Sequence, residues 1–206
     1  MHPETIDKQT KSVLDTIGSQ EFIQPFYLAG GTALAIHLGH RMSIDLDFFT
    51  DQEFSVKRVR DRLAKLGDLS VEGEDADGTL NGVLDGVLIS FFQYSYPNVY
   101  PTISFEGVQL ADERDIAAMK IDAISNRGKK KDFVDLYFLL KKYSLKEILD
   151  FFEVRFQGIE YNRLHILKSL TYFEDAEDDP DPIMLIDVPW KEMKDLIVQK
   201  VKKMEI

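Results

Sequence analysis

Three groups of residues in this 206-residue chain have the types and spacing to do chemistry. The first is Asp45 and Asp47 in MSIDLDFF. Read as a strand, positions i and i+2 point to one face about 7 Å apart, with Ile44, Leu46 and Phe48 on the other. Asp is a poor strand former, so two on one face are unfavourable unless a cation lies between them. Magnesium is such a partner, and two-metal sites use carboxylates that bridge ions about 3.5–4 Å apart. A solvated, half-exposed strand accounts for a lone Asp-x-Asp equally well. The second group is Gly30-Gly31-Thr32, where a short apolar run, FYLAGG, gives way to a helix. Glycines there let backbone approach a phosphate, and the free N–H groups of a helix start attract an anion. Thr32 either binds a phosphate oxygen or caps the helix.

The third group is helical. On a wheel from Asp112, residues Ile116, Ala117, Ala123 and Ile124 form an apolar arc that also holds Lys120 and Arg127. Two cations on an inward face suit a triphosphate or the carboxylates of the sheet, although a lysine in such a stripe can also snorkel outward. In KKKDFVDLYFLL the carboxylates of Asp132 and Asp135 sit on a helix apolar nearly all round, where each needs a cation or metal. Asp132 suits either a helix start or a functional role, and Asp135 suits a pair with a nearby Arg or Lys.

The elements that must position these groups read as strands first and helices after. An opening helix over Glu4–Ile17 precedes FYLAGG. The Gly-Gly-Thr helix runs to a Gly39 stop, MSIDLDFF forms a strand, and a helix spans Ser55–Leu66. Glu72–Gly78 is acidic and loop-like. Asp85-Gly86 between two β-prone runs predicts a hairpin, and ISFEGVQL a short strand pair at most. A helix capped at Asp112 breaks near Gly128 and resumes over Asp132–Tyr143. Ser144 and Glu147 form a capping box, and a further helix covers Asn162–Phe173. Six acids in the eight residues Glu174–Asp181, followed by prolines, mark the best boundary in the chain, before a last basic helix after Pro189. The fold class is α+β: a core over residues 1–111 with a short mixed sheet, and a helical region over 112–206 that completes the site.

Composition narrows the classes. With 36 acidic against 25 basic residues the formal charge is −11, so the average field repels nucleic acid and anionic membranes. The absence of cysteine excludes thiol catalysis and cysteine-ligated metals, and suits a reducing, cytoplasmic setting. No apolar leader or membrane span is evident, so no membrane partner is expected. His37 and His40, three apart, and the isolated His2 and His165 lack metal-ligand spacing, and no serine lies in a nucleophile-elbow setting. The cations of Lys57–Lys65 read as a solvated face or an RNA contact. Lys129-Lys130-Lys131, beside Arg127, is better placed for such a contact.

GGTALAIHLGHRMSIDLDFF resembles the G-[GS]-x-D-x-D signature of polymerase-beta-like nucleotidyltransferases. More narrowly it resembles the AbiEii/AbiGii-type nucleotidyltransferase toxins, in which Gly-Gly-Thr leads to Arg-x-Ser-x-Asp-x-Asp-Phe-Phe. Arg41, Ser43, Asp45, Asp47, Phe48 and Phe49 match that stretch. The resemblance continues in Lys120 with Ala123, in Arg127, and in Lys131-Asp132 with Asp135-Leu136, and covers residues 26 to 140. It implies a polymerase-beta-like fold and magnesium-dependent transfer of an NMP from an NTP to an acceptor hydroxyl, releasing pyrophosphate. Asp45 and Asp47 would hold the metal. Gly30, Gly31, Thr32, Arg41, Ser43, Lys120 and Arg127 would bind the nucleotide, and Asp132 would assist catalysis. It further implies a toxin of a toxin–antitoxin pair, with tRNA as an acceptor and a cognate antitoxin. One departure stands out: VLISFFQY offers Ser90 and Gln93 where many such enzymes carry a third carboxylate. A small-molecule or protein acceptor, and a non-catalytic nucleotide-binding module, are the alternatives.

Overall fold

In the computed structural model, which describes residues 1–75 and 78–204, a 3-10 turn at Pro3–Thr5 leads to Asp7. The Asp7 side chain accepts the Thr10 N–H and starts α1 (Lys8–Gly18), so the opening helix begins later than its sequence suggests. Then follow β1 (Tyr27–Leu28), α2 (Gly30–Leu38), β2 (Leu46–Thr50) and α3 (Val56–Leu63), the last capped by Ser55. Strands β3 (Leu69–Glu74), β4 (Thr79–Leu84), β5 (Val87–Gln93), β6 (Ile103–Phe105) and β7 (Val108–Leu110) complete one sheet of order β3-β4-β5-β2-β1-β7-β6. It is mixed: β2 runs parallel to β5 and β1 to β7, and the remaining neighbours are antiparallel. At the tips of the β4–β5 and β6–β7 hairpins, Asp85-Gly86 and Glu106-Gly107, two successive residues have positive φ, the pairing that a tight two-residue turn demands.

Helices fill the second half: α4 (Glu113–Asn126), α5 (Lys130–Lys142), α6 (Leu145–Arg155), α7 (Arg163–Ser169), α8 (Glu174–Glu177) and α9 (Trp190–Lys202). Asp112 caps α4, Gly128 (φ 53°) separates α4 from α5, and Ser144 with Glu147 makes the expected capping box. One sheet face carries Leu46, Phe48, Ile89 and Phe91, which join Leu14, Ile17, Val59 and Leu63 in the main core. Phe48 stacks on Phe91 at 4.9 Å and Phe26 meets the same ring edge-on at 5.1 Å, which fixes their packing geometry as well as excluding water. The alternate residues Asp47, Phe49, Ser90 and Phe92 are half-buried. Behind them, α2 packs on α4 and α5. No helix among the described residues is long and apolar enough to cross a membrane.

Two expectations need correction. The acidic stretch expected to be a loop includes Glu72–Glu74, which belong to the edge strand β3; residues 76 and 77 of that stretch lie outside the described residues. An edge strand takes its ladder from backbone and tolerates charged, solvent-facing side chains. A register shift between Val71 and Gly73 further hides its alternation. The acidic segment around Glu174–Asp181 is not a boundary either. It forms α8 and then a strap, with Ala176 buried and Asp179 accepting the Lys130 N–H at 2.9 Å. The strap then pairs with the α2–β2 loop: Met42 N–H donates to Ile183 O at 2.8 Å and Leu185 N–H to His40 O at 2.9 Å.

Candidate active site

The Gly-Gly turn is shaped by what presses on it. Gly30 opens α2 at φ 67°, and a Cβ there would lie 2.9 Å from Asp47 Oδ2. A Cβ on Gly31 would collide with the Arg41 guanidinium, which Asp135 fixes in place. Ala29 N–H donates to Asp47 O at 3.0 Å, so the backbone of the turn is fastened to β2. Close approach requires both glycines, and backbone conformation requires Gly30 as well. Thr32 does not cap the helix. Ala29 is the N-cap of α2, and the buried Thr32 hydroxyl donates to Asp45 O and lies 2.8 Å from Ser43 Oγ. It ties the helix start to the loop that carries Asp45.

Asp47 is in β2, and Asp45 lies one residue before the strand begins. Burial pushes the Asp47 carboxyl above the usual carboxylate range, and Asp45 adds to the effect; Lys131, Lys120 and Arg127 oppose it only in part. Asp45 has Lys131 at 3.5 Å, and no ion pair of Asp47 is found among the described residues. The pair is under-neutralised, and its hard oxygen donors fit a magnesium ion. Among the described residues no three His, Cys, Asp or Glu side chains converge on one ion site, so further ligands would come from substrate and water. Ser90 lies in register with Asp47 on β5, and Asn81 with Ser90 on β4, so neither position in that row supplies an acid.

Behind this mouth is a buried ion cluster. Asp135, wholly buried, receives Arg41 at 2.7 and 3.0 Å, Lys120 at 2.6 Å and His40 Nε2 at 2.7 Å. Asp132 receives Lys120 at 2.8 Å and Arg127 at 3.1 Å. Burial alone would raise both carboxyls. Lys120 and Arg127 outweigh it and hold Asp132 below its usual range, and Arg41 with Lys120 holds Asp135 well below. Lys120 is pushed down by burial and up by Asp135 and Asp132, and ends raised, so it stays charged. Three strong cations face two carboxylates, which leaves the cluster net positive beside the two acids of the mouth.

A cleft of about 420 Å³ runs from Gly30, Gly31 and Asp47 between the sheet aromatics Phe49, Phe92 and Tyr94 and the α4 residues Met119, Lys120, Asp122, Asn126 and Arg127. A second cavity, of about 500 Å³, lies between Arg41–Asp45 and the strap, with Arg127, Lys129 and Lys131 in its wall. A third, of about 480 Å³, extends from Asp45 and Asp47 over the open sheet to Asn81 and Glu72. Arg127 and Lys131 border all three. The structure thus brings Gly30, Gly31, Asp47, Lys120 and Arg127 into one cleft and Arg41, Ser43, Asp45 and Arg127 into the next. Thr32 and Asp132 border none of these three. Asp122, Asn126 and the aromatic wall were absent from the sequence-based site. Their signal was available: Met119, Asp122, Ala123 and Asn126 follow i, i+3, i+4, i+7 spacing on a single helix face.

Comparison with known proteins follows this geometry. The family model for the nucleotidyl transferase AbiEii toxin of type IV toxin–antitoxin systems matches residues 12–79 and 80–203. An uncharacterized protein of Aquifex aeolicus (strain VF5) is 39% identical over 207 residues, spanning 96% of this chain and 97% of its own. MenT4, a nucleotidyltransferase toxin of Mycobacterium tuberculosis, superposes with a TM-score of 0.58 at 15% identity, over 94% of this chain and 81% of its own. A Helicobacter pylori structure gives a TM-score of 0.57 at 19% identity, over 97% of this chain and 96% of its own. At these identities the two structures share the fold.

Proposed function

The chain belongs to the AbiEii nucleotidyltransferase toxin family, and on that premise we propose that it transfers an NMP from a magnesium-bound NTP to an RNA hydroxyl, tRNA being the acceptor to test first. The observation that carries this reading is the close approach of Gly30 to Asp47, which sets the glycine turn beside an under-neutralised carboxylate pair. The acceptor oxygen attacks the α-phosphorus, the bond to the β-phosphate oxygen breaks, pyrophosphate leaves, and the hydroxyl proton passes to solvent. Asp45 and Asp47 would hold magnesium, which when bound lowers the acceptor pKa and offsets phosphate charge.

The chain's own residues supply position and field. Gly30 and Gly31 present backbone N–H groups to the phosphates, assisted by the start of α2. Arg127, more than half exposed, reaches the phosphates directly, while Lys120 acts from within the cluster through its charge. Arg41 and Ser43 shape the turn and the Asp45 loop. Asp132, held ionised by two cations, is a poor proton acceptor, so its part is to position Lys120 and Arg127 rather than to deprotonate the acceptor. Residues 1–111 then carry the glycines and metal acids, and 112–206 the cations that complete the site. Arg127, Lys129 and Lys131 beside Asp45 would meet the RNA phosphates, and a cognate antitoxin would oppose the activity in a cytoplasmic setting.

The test is incubation with magnesium, each α-labelled NTP and total tRNA, in parallel with Asp47→Ala. Label on RNA that disappears in the variant is the expected result. Magnesium-dependent NTP binding with no transfer would overturn the enzymatic reading.

A further inference from the structure

We propose that Asp122 selects the nucleotide by accepting a hydrogen bond from a donor on the bound nucleoside, either a sugar hydroxyl or a base N–H; the assignment rests on the NTP cleft described above. Asp122 lies on the α4 face that walls this cleft, opposite Phe92 and Tyr94 and in the same cavity as Gly30, Gly31 and Asp47. A nucleoside whose phosphates sit on the glycine turn would extend between that aromatic wall and α4. The Phe49 ring centroid lies 5.1 Å from that of Phe92 at a 32° tilt and 5.6 Å from that of Tyr94, which it meets edge-on, so the wall is aromatic and offers ring faces on which a base can stack.

The hydrogen-bond accounting then singles out what α4 offers. Asn126 Nδ2 donates to Asp122 O at 2.9 Å and to Asp122 Oδ1 at 3.0 Å, which uses both of its amide hydrogens. That leaves the second Asp122 oxygen and the Asn126 carbonyl as acceptors without a hydrogen bond among the described residues. Asp122 also has no ion pair there, unlike Asp112, Asp115, Asp132 and Asp135, which bracket it on α4 and α5. Burial raises its carboxyl above the usual range against the pull of Asn126 and Arg127. A local i,i+4 helix contact explains the first oxygen; it leaves the second without a hydrogen bond on a half-buried residue that lines the aromatic cleft. A donor on the ligand would satisfy it, and a ligand lacking that donor would leave it unpaired, which is how a polar site rejects an analogue.

Equilibrium dialysis in magnesium without acceptor, using all four NTPs and all four dNTPs, tests this on the wild type, Asp122→Asn and Asp122→Ala. The best-bound nucleotide should lose about tenfold to a hundredfold in affinity in both variants, with the worst-bound nearly unchanged. If the donor is a sugar hydroxyl, the NTP-to-dNTP ratio collapses; if it is on the base, the spread among bases collapses. Either supports the proposal, and a merely structural role of Asp122 would weaken all eight alike. Variants that keep the wild-type order and constants overturn the assignment while leaving the NTP cleft standing. A wild type that binds none of the eight overturns both.

Discussion

The ion cluster and the mouth at Asp45 and Asp47 are built from the same kinds of side chain and differ in how far the charges are met. In the cluster, Asp132 and Asp135 each receive two strong cations, at distances from 2.6 to 3.1 Å, and both carboxyls are held below their usual range. At the mouth, Asp45 has a single lysine at 3.5 Å, and the Asp47 carboxyl is pushed upward by burial and by Asp45. A met carboxylate in the interior holds the fold together; an unmet one at a cleft costs stability and leaves its oxygens open to a ligand. Residue type does not separate the two roles. The local balance of charge does.

Substitutions can break that contrast, and the largest effect should come from Asp47→Asn. It should lower transfer activity at least about 1,000-fold, some 4 kcal/mol of barrier, while a thermal melt shows unchanged or slightly higher stability because a destabilised charge is gone. A fall in melting temperature alongside the lost activity would place Asp47 with the cluster. Asp135→Ala should do the reverse and cost about 3–5 kcal/mol in urea titration, because Arg41 is left buried without an ion pair and Lys120 keeps only Asp132. Acid should distinguish the regions next. The depressed carboxyls of Asp132 and Asp135 contribute stability that is complete above the unfolded value near about 4 and is lost as pH falls through the folded values. Asp47 has the opposite sign, since protonation relieves it. Urea midpoints measured downward from pH 5 should therefore fall steeply in the wild type and less steeply in Asp135→Asn. The smallest effect belongs to Lys131→Ala: its pair with Asp45 is about half exposed, so stability should shift by no more than about 0.5 kcal/mol in the same titration.

Much of the mouth was legible in the sequence because its chemistry is local. Asp45 and Asp47 are two residues apart, Gly30 and Gly31 adjoin a helix start, and spacing alone suggests a phosphate and a metal. The partner of Asp135 was legible in kind, as a nearby cation, although which one depends on tertiary approach: Arg41 is 94 residues away. Thr32 misled because its type suits a cap, and only the fold reveals a hydroxyl committed to Asp45 O. Strand β3 was hidden because edge pairing leaves little trace in side-chain polarity, and the register shift removes what alternation remained. The acidic segment misled for a related reason. A run of acids and prolines is the signature of a linker, yet Lys129 and Lys130 give its carboxylates local partners that composition cannot show. Asp122 looked like one more polar residue on a helix, because the aromatic wall opposite comes from β2 and β5.

The strap has a bearing on how this protein comes into being. Lys130 is buried against the carbonyls of Glu177 and Asp179, and the loop before Asp45 hydrogen-bonds to Ile183, Leu185 and Ile186. A ribosome makes the glycine turn, Asp45 and Asp47 early, but the backbone that braces them is made more than a hundred residues later. A nascent or prematurely terminated chain ending before the strap therefore carries these residues without the backbone that braces them. That order of synthesis leaves the α2–β2 loop unbraced until the strap has been translated and docked.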